Sequence, residues 1–264
     1  MKILTILICV YVTEGKLKHV DKRIVKGKHV YNSDKYPSIA SLQVQYDLDS
    51  PWEHKCGAVL IGQSKLLTAA HCLVNTLFLK KRVILGVLNI QPDLHAYDQV
   101  HEVSRFKIHH DYEEASSRTY IHDIAILYLN TRVKFTKKVK PALLAPKGKY
   151  LEDTKCAVAG WGTGSSFSDF SNQLREATVT VISNEFCKTF YRRLYILPTN
   201  MCLFNNFDDD NDRPGTCDGD DGGPAMCGKN FQLLAGITSW GKECDSLPNV
   251  YVRVSEYYDW IQAN

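Results

Sequence analysis

The chain has 264 residues, 44% of them hydrophobic, enough for one large domain or two small ones. Its formal net charge is +3, from 32 basic and 29 acidic side chains, and this balance calls for neither nucleic acid nor an anionic membrane as partner. The apolar run from Ile3 to Val12 is too short to cross a bilayer, and no other segment qualifies.

Taken in chain order, residues 1–15 read as a secretory signal peptide. Lys2 supplies the positive start, Ile3 to Val12 the apolar stretch, and Thr13 and Gly15 the small residues before a cut after Gly15. Secretion agrees with the cysteines. Of nine, Cys9 leaves with the signal, and Cys56, Cys72, Cys156, Cys187, Cys202, Cys217, Cys227 and Cys244 make an even set for an oxidising compartment. Number alone leaves on the order of a hundred pairings open. No CxxC pair occurs, so no zinc site is expected and no cofactor is implied.

Residues 16–23 form a short basic propeptide candidate without hydrophobic periodicity, ending in Lys22-Arg23 before Ile24-Val25-Lys26-Gly27. Beyond Ile24 the pattern is one of short β-rich runs between turn residues. They are 38–45, 56–61, 81–85, 124–129, 155–159, 177–182, 233–239 and 250–254, and they predict an all-β sandwich or barrel. The segment 254–264 predicts an amphipathic helix, with Val254, Tyr257, Tyr258 and Ile261 on one face. There is no internal repeat.

Three separated segments carry chemistry: Thr68-Ala69-Ala70-His71-Cys72, His122-Asp123-Ile124-Ala125 and Gly219-Asp220-Asp221-Gly222-Gly223-Pro224. A lone histidine in an apolar segment is usually structural, and a lone aspartate before a buried strand is usually a turn residue. As an ordered set they resemble the signature of the chymotrypsin-like (trypsin-type) serine proteases, and the resemblance runs from Ile24 to Asn264. It implies one domain over 24–264 built as two six-stranded antiparallel β-barrels with a C-terminal helix, the cleft lying between the barrels. It also implies the pairs Cys56–Cys72, Cys156–Cys227, Cys187–Cys202 and Cys217–Cys244, and a secreted monomer. Cleavage after Arg23 would free Ile24, whose ammonium would pair with Asp220. His71 and Asp123 would be the general base and its orienting carboxylate. The backbone amides of Gly219 and residue 221 would form the oxyanion hole. Ser239 would bond to Asp123, and Gly215, Ser239, Gly241 and Asn249 would shape the specificity pocket.

The chain departs from that pattern at the decisive position. Asp221 stands where the family has the attacking serine, and neither neighbour is Ser, Thr or Cys. A carboxylate is a poor nucleophile toward an amide, and a second negative charge beside His71 favours the imidazolium over a general base. Gly215 replaces the aspartate of tryptic members, Glu243 and Asn249 stand where glycines are usual, and Val87 stands where a calcium ligand would be. The expectation is therefore a serine protease homologue without catalysis that works by binding a protein: a protease, a protease substrate or an inhibitor. Its rival is a working endopeptidase of non-tryptic specificity with an unusual nucleophile or water activation. A polyanion-binding surface using Lys80-Lys81-Arg82 and the lysines of 134–140 is a third reading, though a solvated face is the plainer one. The acidic run 205–212 lacks the turn glycine of an EF-hand and reads as a solvated loop, and His109-His110 reads as structural.

Overall fold

A computed structural model describes residues 27–74, 76–91, 99–116, 119–163, 171–192, 194–205, 214–244 and 246–264. The signal peptide, the propeptide, Arg23, Ile24 and nearly all of the acidic run lie outside these residues.

After a short β1 (Lys28–His29), six strands close into a barrel. They are β2 (Ile39–Gln45), β3 (Glu53–Leu60), β4 (Lys65–Thr68), β5 (Lys80–Leu85), β6 (Gln99–Ile108) and, past the hairpin β7 (Glu113–Ser116) and β8 (Thr119–Ile121), β9 (Ala125–Leu129). A short β10 (Leu143–Leu144) leads to the second set: β11 (Lys155–Gly160), β12 (Arg175–Ile182), β13 (Asn200–Phe204), β14 (Pro224–Cys227), β15 (Leu233–Trp240) and β16 (Asn249–Arg253). Its antiparallel pairings run β11–β12–β13–β16–β15–β14 and return to β11, so this ring also closes. Closure leaves neither ring with an open edge to template aggregation. The expected pair of six-stranded barrels is the architecture observed.

The eight sequence-predicted runs all became strands, each within a few residues of the expected bounds. The spacing missed others. The longest, β6, alternates Val100, Glu102, Ser104 toward solvent with a weakly apolar inner face, so its hydrophobic signal is diluted. The strand β14 is only Pro224–Cys227 and lies buried at every residue, which removes any alternation. The predicted terminal helix is a 3-10 turn (Val254–Tyr257) followed by an α-helix, Tyr258–Ala263, with Val254, Tyr257 and Ile261 buried. These three residues share one apolar cluster with Leu66, Leu67 and Ile126 of the first barrel. The end of the chain thereby clamps the two barrels together. A short helix of Asn184–Phe190, unpredicted, starts at Ser183, whose Oγ accepts from the Phe186 amide at 3.1 Å.

All four disulfides implied by the resemblance are formed: Cys56–Cys72, Cys156–Cys227, Cys187–Cys202 and Cys217–Cys244. Among the described residues no helix is long and apolar enough to cross a membrane.

Candidate active site

His71 sits where β4 gives way to the one-turn helix His71–Val74, a loop stapled to β3 by Cys72–Cys56. Asp123 stands just before β9 and is buried. Because β4 and β9 are paired, with Thr68 opposite Ala125, the two loops leave the barrel side by side. The pairing brings Asp123 Oδ1 to 2.9 Å from the His71 amide and Oδ2 to 2.8 Å from its Nδ1. Ser239 Oγ, from β15 of the other barrel, donates to the same Oδ2 at 2.6 Å. A buried carboxylate holding three donors is firmly oriented, and it fixes the imidazole in turn.

On the open side of the ring, His71 Nε2 faces Asp221 Oδ2 at 3.7 Å, an ion-pair separation longer than a hydrogen bond. Burial disfavours charge on His71. The charge and hydrogen bond of Asp123, with the nearby Asp221 carboxylate adding to them, outweigh it and raise the pKa to about 10. The imidazolium is thus the form favoured at neutral pH. Tyr120 of β8 stacks on its face at 4.4 Å between centroids, a contact that sequence spacing does not reveal.

The segment carrying Asp221 is pinned by its own backbone. The Gly57 amide donates to Asp221 O at 2.7 Å, and the Gly222 amide to Thr238 O at 2.8 Å, so both barrels hold it. Gly222 has φ 75°, and a Cβ there would collide with Thr68 Oγ1 and Gly57 O. Only glycine meets both demands. Gly219 O is 3.0 Å from Nε2 of His54, whose Nδ1 lies 2.8 Å from Ser41 Oγ. Burial keeps His54 neutral, with a pKa lowered to about 4. His54 was not singled out by the sequence; its nearness to Cys56 in a strand facing the cleft was the available signal.

Asp220 points the opposite way from Asp221, into the second barrel. Its Oδ1 accepts from the Gly162 amide at 2.9 Å and its Oδ2 from the Cys217 amide at 3.0 Å. Burial raises its pKa to about 7 against the pull of these two bonds.

The cleft around Asp221 measures about 480 Å³, walled by His54, His71, Tyr112, Tyr120 and Trp240 and edged by Glu53, Glu114 and Asp218. The pocket beside it is small, about 30 Å³, and Asn249 lies in its wall with Thr216, Thr238 and Gly241. Of the four pocket residues expected, Asn249 and Gly241 line it. Ser239 lines the wider cleft and is engaged with Asp123, and Gly215 is screened from the pocket by the Asn249 side chain. Glu243 is exposed and not among the pocket's lining residues. Val87 packs against an apolar cluster.

The other sequence candidates scatter. Lys80 opens β5, whereas Lys134 is bonded to Gln99, which pairs with Leu85 at the far end of that strand. The two basic stretches make no single patch, and Lys81 is buried with its ammonium donated to carbonyls of the preceding turn. His109, His110 and Asp111 come close enough to share an ion. Within that group His109 stacks on His110 and on His122 in an apolar corner with Trp260. Cys56 and Cys72 near His71 are joined to each other.

Two closed barrels with a histidine, a buried carboxylate and a pinned glycine-rich turn at their junction define a protease fold of the chymotrypsin type. A profile of the trypsin family, described as "Trypsin", matches residues 24–261, and the chain belongs to that family. Coagulation factor XI of Bos taurus is 36% identical over 230 residues, covering 83% of this chain and 35% of that protein. The chain thus spans about a third of that relative's length. Among solved structures, mouse neuropsin, titled a serine protease expressed in the limbic system of the brain, superposes with a TM-score of 0.74. It is 30% identical, over 90% of this chain and 98% of that one.

Proposed function

We propose that this chain is a non-catalytic member of the family, acting outside the cell by binding a protein in the cleft between its barrels. The observation that carries the reading is the Asp221 carboxylate facing Nε2 of His71 at 3.7 Å, in the place a nucleophilic hydroxyl would hold. Peptide hydrolysis asks three things of that place: a group that attacks, a neutral imidazole to take its proton, and a neutral surrounding for the oxyanion. Asp221 offers a weak nucleophile toward amides, stabilises the imidazolium, and sets negative charge beside the amides of Gly219 and its own backbone. Loss of a triad member costs on the order of a million-fold in turnover. Eight cysteines paired in four bridges support an oxidising, extracellular setting.

The test is turnover of a broad peptide library by the processed form beginning at Ile24, beside its Asp221→Ser and His71→Ala counterparts. Silence from the wild type with cleavage by Asp221→Ser is the expected result. Wild-type cleavage that His71→Ala abolishes would establish instead an endopeptidase with unfamiliar activation.

A further inference from the structure

We infer that Asn249 is a plug that closes the specificity pocket to side chains larger than those of alanine and serine, so the cleft accepts partners with a small residue at that point. This deepens the reading of the cleft as a binding site and rests on it.

Asn249 opens β16 and is buried. Its amide lies in the pocket as a bound group would: Oδ1 accepts from the Thr216 amide at 3.2 Å, and Nδ2 donates to Thr216 O at 3.1 Å. Thr216 is tied down in turn, its Oγ1 3.0 Å from the hydroxyl of buried Tyr251. The walls on either side are glycines. A Cβ on Gly215 would lie 2.7 Å from Asn249 Oδ1, and one on Gly241 2.7 Å from Nδ2, so the side chain fills the space those glycines leave. What remains is about 30 Å³, room for a water or two and not for an aromatic ring or a lysine stem. Swinging Asn249 aside would strand two buried backbone groups of Thr216 and the amide itself, so a large ligand side chain has to overcome all of these to enter.

The consequence bears on which partners fit. Loops that insert lysine, arginine or phenylalanine into such a pocket are excluded, both as substrates and as inhibitors. The partner therefore presents glycine, alanine or serine at the pocket mouth.

The experiment uses the processed full chain and two probes. The first is a small canonical-loop inhibitor scaffold carrying Gly, Ala, Phe or Arg at the inserted residue, titrated by calorimetry against wild type, Asn249→Gly and Asn249→Ala. Wild type should bind the Gly and Ala loops at least tenfold more tightly than Phe or Arg, and Asn249→Gly should gain at least tenfold for Phe. Equal wild-type affinity for all four, or no gain in either well-folded variant, overturns the plug. The second probe, indole alone, reads the pocket whether or not any loop binds. Saturable binding to Asn249→Gly and none to wild type supports closure, and binding to wild type overturns it. Should the wild type prove to be a protease, the non-catalytic reading falls separately. The plug is then read from the cleavage profile: cuts after small residues support it, and cuts after Lys, Arg or Phe overturn it.

Discussion

His71 lies between two carboxylates, and that sets the chemistry of the whole cleft. With Asp123 at 2.8 Å and Asp221 at 3.7 Å, the imidazole stays charged to a pKa of about 10. Ring-nitrogen chemical shifts across a pH series should therefore show His71 doubly protonated at pH 8. In Asp221→Ser the pKa should fall, because one of the two charges that raise it is gone. A wild-type His71 neutral at pH 7 would remove the electrostatic part of the inactivity argument. These residues were legible in the sequence because each sits in its own short motif. The stacking of Tyr120 and the wedge of His54 under Gly219 were not, since those contacts join residues far apart in the chain.

One element, the turn from Cys217 to Pro224, bears most of the site. It is fastened by Cys217–Cys244 at one end, by Gly57 and Thr238 in the middle, and by β14 at the other. Gly222→Ala should destabilise the fold by about 2 kcal/mol or more, since it adds strain at φ 75° to a collision with Thr68 and Gly57. Thermal or urea unfolding measures it, and a loss under about 0.5 kcal/mol would mean the turn relaxes. Replacing Cys217 and Cys244 together by alanine should cost on the order of 2–5 kcal/mol and loosen the pocket wall, read by the same melts. Strand recognition succeeded where a β-rich run of five or more residues lay between turn residues, whether buried throughout, as in β9 and β16, or alternating, as in β12. It failed for β6, whose inner face is only weakly apolar, and for β14, which is buried throughout and too short to show a period.

For the molecule as a whole, titration of buried groups predicts a stability optimum near neutral pH. His54 and His109 are held neutral by burial, each with a pKa near 4, while the unfolded chain protonates both below about 6.5. Asp220 acts in the opposite sense, its raised pKa of about 7 letting the fold hold a proton the unfolded chain has lost. Between pH 4 and 6.5 the two histidines, joined by His101, which burial also lowers, outweigh Asp220, so the unfolded state binds more protons and stability falls on acidification. Above 6.5 the sign reverses. His71 keeps in the fold, up to about pH 10, a proton that the unfolded chain releases, and stability declines as pH rises. Denaturant melts from pH 4 to 10 would show this dome, and His71→Gln should flatten its alkaline side. An ammonium delivered to Asp220 by cleavage after Arg23 would lower that carboxyl's pKa and steepen the acid limb. Comparing intact and processed chains tests this.

By itself the sequence determined an all-β chain, from short β-rich runs between turn residues, and the aspartate at position 221. The two-barrel architecture and the disulfide pairing came from the resemblance, which rests on three short motifs in order. It could place Asn249 beside the pocket but could not say that the pocket was filled. Whether a side chain turns into a cavity depends on the backbone groups waiting there. For Asn249 these are the amide and carbonyl of Thr216, 33 residues away in sequence and adjacent only once the second barrel has closed. The tertiary structure alone decided it, because hydrogen-bond partners and free volume belong to the assembled fold rather than to any segment of the chain.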